Sequence, residues 1–179
     1  QTFSPDDADR ASLSEELGTA AVAINRYRLR PGEGLPGGLH THLDQEEVFV
    51  VLDGTVRFET LAEPAVVDAG EAVRFAPGEY QTGANDGDST AVVLAIGAPN
   101  GSDELWVPLD CPGCDHRAWL QGADGEVLLT CPACGGEHRT RGCPECDREE
   151  MQVAPGDAAG ETVVRCPDCG AERSEPRWA

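Results

Sequence analysis

The sequence predicts an all-β chain: one barrel or jelly roll, followed by two small modules built around cysteine. Three observations predict it. Short apolar and β-branched runs recur from Thr19 to Pro99, broken by Gly, Pro, Asn and Asp. All eight cysteines fall between positions 111 and 169, in four Cys-Pro-x-Cys units. That stretch also repeats itself, CPGCD at 111 matching CPECD at 143 and EVLLTCPACG at 126 matching ETVVRCPDCG at 161. The units that follow are an acidic lead (1–18), a barrel (19–99), a linker (100–110) and cysteine modules over 111–140 and 141–179.

The lead, QTFSPDDADRASLSEELG, offers Ser12 or Ser14 as the cap of a short helix stopped by Gly18. It reads as a mobile arm or as a strand lent to a partner subunit. From Thr19, a strand runs to Pro31-Gly32, with Asn25, Tyr27 and Leu29 on one face and Arg26, Arg28 and Arg30 on the other. The arginine face suits an anion, but a solvated surface is the simpler reading. Further strands are expected at 55–60 (TVRFET), within 62–70 and 71–77, and at 89–99 (STAVVLAIGAP). The linker holds one strand-like patch, LWV.

The chemistry concentrates in GLPGGLHTHLDQEEVFVVLDG, residues 34–54. Alternate side chains of a strand share a face, so His40 and His42 can aim two imidazoles at one point. Glu47 opens the run VFVVL, which ends in the turn pair Asp53-Gly54. Two imidazoles and a carboxylate make an N/O site suited to Mn, Fe, Co, Ni or Zn. The plainer reading is two surface histidines in a glycine-rich loop. If Glu47 points inward, Phe49 and Val51 do too, and Phe58 is expected to line the same cavity; Tyr27 is a further pocket candidate. Glu46 should point outward.

Gly34, five residues, His40-x-His42, four residues, Glu47, six residues, Gly54: this resembles the first cupin motif at all five anchor positions. The segment 70–85 resembles the second, with Gly70, Gly78 and Asn85 in place. Two positions depart from it. Ala76 stands at the proline position, with Pro77 one residue late, and Gln81 stands where the family usually has a ligand histidine. The resemblance implies a double-stranded β-helix, a barrel-to-barrel homodimer, and one divalent metal (Fe, Mn, Ni, Co or Zn) held by His40, His42 and Glu47. Gln81 is then either a fourth ligand through its amide oxygen, a neutral and weaker donor than imidazole, or a hydrogen-bonding pocket residue. A barrel that has lost its metal is a further reading. Because the fold hosts many activities, two functions stand side by side. One is a small metal-dependent enzyme, dioxygenase-like or sugar-isomerase-like, acting on a small molecule. The other is a ligand-sensing or scaffold protein.

Each Cys-Pro-x-Cys turn can hold one side of a tetrahedral metal. The layout is similar to two tandem zinc ribbons, with hairpin turns at GADG (122–125) and PGDAAG (155–160). The resemblance implies two structural Zn2+, one on Cys111, Cys114, Cys131 and Cys134 and one on Cys143, Cys146, Cys166 and Cys169. Units this small bury little core, so the metal supplies folding energy. Disulfides or a redox CxxC are the alternatives. His116 and His138 read as exposed bystanders.

Acids number 33 against 13 basic residues, all of them Arg, for a net charge of −20 and a pI near 4.3. Abundant acids without Lys resemble proteins of salt-loving organisms, where a screening length of about 3 Å at 1 M salt tolerates such self-repulsion. No basic stripe is present to neutralise phosphates, and residues 111–179 carry seven Arg against thirteen acids. Nucleic acid is therefore disfavoured, leaving a small molecule for the barrel and a protein partner for the ribbons. No apolar run is long enough to span a bilayer and no signal segment opens the sequence; with cysteines spaced for metal, a cytoplasmic setting is expected.

Overall fold

Alternation builds the first half of the chain. In the computed structural model, which describes residues 8–102, 104–114, 116–117, 119–121, 128–139, 141–149, 151–158 and 161–175, nearly every regular element is a strand. The first half comprises β1 (Arg10–Ser12), helix α1 (Leu13–Leu17), β2 (Ala23–Leu29), β3 (Thr41–His42), β4 (Glu46–Asp53), β5 (Thr55–Thr60), β6 (Ala65–Asp68), β7 (Ala72–Phe75), β8 (Gln81–Ala84) and β9 (Ala91–Ala98). One sheet has the order β1-β2-β9-β4-β7 and the facing one β6-β5-β8, with antiparallel pairing throughout.

Inward residues at every second position fill the space between the sheets. Leu29, Phe49, Val51, Val56, Phe58, Val67, Phe75 and Val93 form one buried cluster. Its centre is a trio of rings: Phe58 lies 4.9 Å from Phe49 and 5.6 Å from Phe75, centroid to centroid. The β4–β5 turn needs glycine. Gly54 has φ +73°, and a Cβ there would sit 2.9 Å from the Ala91 Cα. Buried Asn85 ties the end of β8 to β2, its amide donating to the Leu29 and Ser89 carbonyls at 2.8 and 2.7 Å.

The lead departs from expectation. Gly18 does stop α1, with φ +69°, but Ser12 at the N-cap position makes no side-chain cap. Ser14 is instead buried and hydrogen-bonds to the backbone of Ile24. Arg10 to Ser12 pair with β2 of the same chain, Arg10 opposite Tyr27. The expected arm over residues 1–7 lies outside the described residues.

The second half adds β10 (Leu105–Val107), β11 (Trp119–Gln121), β12 (Leu128–Thr130) and β13 (Glu137–Arg139), then β14 (Gln152–Pro155), β15 (Thr162–Arg165) and β16 (Glu172–Arg173). The last three make their own sheet. The first four extend outward from the barrel's β3, in the order β13-β12-β11-β10-β3. The LWV patch is β10, and it pairs Leu105 with His42 and Trp106 with Thr41. Residues 105–107 are thus a sheet strand rather than a tether, because Val107 and its neighbour Leu109 are buried in a second core with Leu39, Trp119, Leu129, Val153 and Val164. The GADG turn, and the last two residues of PGDAAG, lie outside the described residues.

Candidate metal centre

Each donor reaches the site from a different stretch of backbone. β3 carries His42, His40 stands just before it, Glu47 lies at the start of β4, and Gln81 opens β8. The His40 and Gln81 backbones bridge each other, N to O at 3.1 and 2.9 Å. One ligand atom from each of His40, His42 and Glu47 lies within 4.8 Å of the other two. Separations of that order bring the three donors close to the spacing that ligands of one metal ion adopt. The two imidazole rings meet nearly at right angles, 5.2 Å apart.

The surroundings prepare these groups. His40 Nδ1 lies 2.8 Å from the Gly38 carbonyl oxygen, so Nδ1–H donates there and Nε2 keeps its lone pair for the site. His42 Nε2 stands 3.8 Å from a Glu47 carboxylate oxygen. Burial holds the His42 pKa below the ordinary histidine value, with His40 adding to the effect and Glu47 and Asp44 opposing it, so the neutral, ligating form is favoured. The Gln81 side-chain nitrogen donates to Glu47 Oε2 at 2.8 Å and lies 3.5 Å from His40 Nε2. Two buried polar atoms, His42 Nδ1 and Gln81 Oε1, have no hydrogen-bond partner. Buried polar atoms are rarely left so, and orphans beside three convergent donors fit a site that takes a cation.

A cavity of about 390 Å³ opens over the donors. Tyr27 and Phe49 line it as expected. Val51 and Phe58 do not: both are fully buried in the core beneath. Alternation sets the face of a strand, but β4 runs away from the mouth, so Val51 falls below the opening. Glu46 points outward and pairs with exposed Arg74 at 2.7 Å.

Sequence reasoning missed Arg10 and Leu105, which also line the cavity. Arg10 sits over the Tyr27 ring, 5.8 Å from its centroid. Burial raises the Tyr27 pKa, Glu47 adds to it and Arg10 partly offsets it, so the phenol stays neutral. Nothing in the lead's composition marks Arg10, whereas the LWV patch was a visible signal for Leu105 that lacked only its pairing partner.

The cysteines gather in two sets of four. Sγ–Sγ separations are 3.7 Å (Cys111–Cys134), 3.6 Å (Cys114–Cys131), 3.5 Å (Cys143–Cys169) and 3.5 Å (Cys146–Cys166). A tetrahedron with metal–sulfur bonds of about 2.3 Å has edges of about 3.8 Å, whereas a disulfide needs about 2.05 Å. All eight are free thiols. The clusters can therefore each hold a metal of zinc's preference. Burial opposes the Cys131 thiolate, but backbone hydrogen bonds from Cys134 and Ala133, with Cys114 and Cys111, outweigh it and bring the thiol down to about 7. Cys166 is brought to about 7 in the same way, by Cys169 and Asp168. His116 and His138 are not exposed bystanders: each is half-buried, packed edge-on against Trp106 and Trp119 respectively.

The fold and site together define a small two-sheet β barrel with a His-His-Glu cluster in its mouth that could hold a metal. Residues 25–97 match the cupin domain family, and the barrel is a cupin domain. Among solved structures, the chain is similar to a cupin protein from Bacteroides fragilis (28% identity over 57% of this chain and 86% of that one, TM-score 0.49). It is also similar to a putative sugar phosphate isomerase from Acidithiobacillus ferrooxidans (26%, 70% and 76%, TM-score 0.54) and to a predicted oxalate decarboxylase from Thermotoga maritima (26%, 51% and 79%, TM-score 0.45). No curated protein matches it. Among the described residues, no helix is long and apolar enough to cross a membrane.

Proposed function

We propose that this protein is a metal-dependent cupin enzyme acting on a small anionic molecule, with His40, His42 and Glu47 holding one divalent metal. The observation that carries this reading is the convergence of three donors and two orphaned buried polar atoms at one cavity. A metal there supplies Lewis-acid polarisation of a substrate oxygen. The chain's own groups do the rest. Gln81 steadies the Glu47 carboxylate through its amide nitrogen, the second of its two expected roles. Arg10 offers a guanidinium at the cavity to a carboxylate or phosphate, and the neutral Tyr27 phenol offers a proton donor beside it. The likeness to the Acidithiobacillus structure, described as a putative sugar phosphate isomerase, supports a substrate of that charge. Eight thiols grouped for two structural zincs favour a reducing, cytoplasmic setting.

The test is metal content by mass spectrometry on protein purified without added metal, followed by turnover of a sugar-phosphate and phenolic panel. Two zincs plus one further divalent metal are expected, with His40→Ala returning the count to two and abolishing turnover. Wild-type protein that carries only two metals, and takes up none when offered Fe, Mn, Co, Ni or Zn, overturns the reading.

A second reading has its own observation: Gln81, which stands where the family usually has a ligand histidine, turns its nitrogen and not its oxygen towards Glu47. On that reading the barrel senses a ligand and the ribbons contact a partner protein. Metal-loaded protein inert across the panel, with a specific protein captured by the full chain and lost with the ribbon cysteines, favours it.

A further inference from the structure

The donor set divides into two halves that are held by different parts of the molecule. Glu47 and Gln81 lie on strands that pair only with barrel strands, β4 with β7 and β9, and β8 with β5. The five residues Gly38 to His42 are held from two sides: on the barrel side His40 bridges Gln81 and the His42 carbonyl accepts from Gly78 N–H, and on the other side the ribbons supply the contacts that follow. β3 is hydrogen-bonded to β10 of the first ribbon sheet, and Leu43 N–H donates to the Glu104 carbonyl at 3.0 Å. Leu39, fully buried, is packed into the ribbon core with Val107, Trp119, Leu129, Val153 and Val164. Its N–H donates to the Val153 carbonyl on β14 of the second ribbon. Gly38 has φ +65°, and a Cβ there would lie 2.7 Å from that same carbonyl oxygen. The Gly38 carbonyl in turn orients His40.

We propose that the two ribbons clamp the histidine half of the donor set, so that zinc in the ribbons raises the affinity of the barrel for its own metal. Every link is a contact described above. Thiolate clusters fix the turns that carry β10 to β16; β10 and β14 grip Gly38 to Leu43 from two sides; that loop presents both imidazoles. A loosened clamp leaves Glu47 and Gln81 in place and the histidine loop tied to the barrel only by the His40–Gln81 bridge and the Gly78–His42 bond, so both imidazoles lose part of their support. Disturbing such supporting contacts lowers metal affinity by roughly 10–100-fold. Coupling of this kind is reciprocal, so a metal in the barrel also retains the ribbon zincs. The ribbons are then positioning elements for the barrel site. The inference rests on the barrel's being a metal site.

Mn2+ serves as the probe, its binding to the full-length protein followed by electron paramagnetic resonance after two zincs per chain are confirmed. Leu39→Ala should keep both zincs and weaken Mn2+ binding at least tenfold. Cys166→Ser should lose one zinc and weaken Mn2+ binding likewise. Gly38→Ala, which pushes the loop off β14 without touching either core, should act in the same direction and covers the case in which Leu39→Ala fails to fold. Val67→Ala, a comparable truncation in the barrel core away from the loop, should leave Mn2+ affinity within about twofold. In the converse experiment, Mn2+ should slow zinc transfer to a colorimetric chelator. Unchanged Mn2+ affinity in folded Leu39→Ala and Cys166→Ser overturns the clamp alone. Wild-type protein that binds no Mn2+, Co2+ or Zn2+ beyond its two zincs overturns both the clamp and the barrel metal site.

Discussion

In the barrel, three phenylalanine rings and a shell of Val and Leu fill the space between two sheets. In the ribbons, two three-residue-scale hairpins share one modest core, and two four-thiol clusters stand where further apolar layers would be. The barrel carries its stability in buried area, which no chelator can remove. The ribbons depend on a ligand that can be taken away, since binding a structural metal and folding are one equilibrium in units of this size. The difference teaches that the two halves should fail under different stresses, although they meet at Leu39.

The largest separation is expected from removing zinc. Structural zinc sites contribute on the order of 10 kcal/mol, so a strong chelator should strip hydrogen-exchange protection from β12 and β15 while β4 and β9 keep theirs. Acid should do the same. The Cys131 and Cys166 thiols, held down to about 7, have the most thiolate character of their clusters, and because zinc needs deprotonated ligands, protons should displace it at a pH well below that value. Barrel strands that lose protection together with the ribbons would show that the halves form one cooperative unit. The opposite probe is Phe58→Ala, which opens a cavity among the three rings and should cost about 3–5 kcal/mol by denaturant titration, with zinc content still two per chain. Zinc loss in that variant would mean that the ribbons cannot stand without the barrel. The smallest effect belongs to the surface. Arg74→Ala removes an exposed pair with Glu46 and should shift stability by less than about 1 kcal/mol at low salt. Adding 1 M salt, where the screening length is about 3 Å, should erase that shift while raising the wild-type midpoint, because a net charge of −20 repels itself least there. A midpoint that falls with salt would remove the basis for a salt-adapted surface.

Much of this was legible in advance, and for identifiable reasons. His40, His42 and Glu47 were readable because a two-residue repeat and a short spacing survive folding locally. The cysteine sets were readable because the repeat supplies its own pairing. The inward face of Asn25, Tyr27 and Leu29 followed from alternation, and Asn25 and Tyr27 line the cavity while Leu29 is buried beneath it. Depth was not legible. Val51 and Phe58 share the right face, yet lie under the cavity rather than on it, because period two says nothing about distance from the mouth. Partners across long separations were not legible either. LWV could be seen as a strand, but a three-residue run carries no record that it pairs with His42. Arg10 was hidden for the same reason, since its place over Tyr27 depends on β1 pairing back onto β2.

The bond from Leu39 to Val153 has a consequence in time as well as in space. These residues are separated by more than a hundred positions, and contacts of such long range form late. During synthesis the chain emerges from its N-terminal side, and domains fold as they appear. Every strand of the barrel is made before Val153 leaves the ribosome. The barrel can therefore close on its Phe core early, while the loop that bears both histidines lacks its ribbon-side supports until Val153 arrives. Maturation of the site becomes a final step, and a half-made chain is poorly equipped to capture a stray ion.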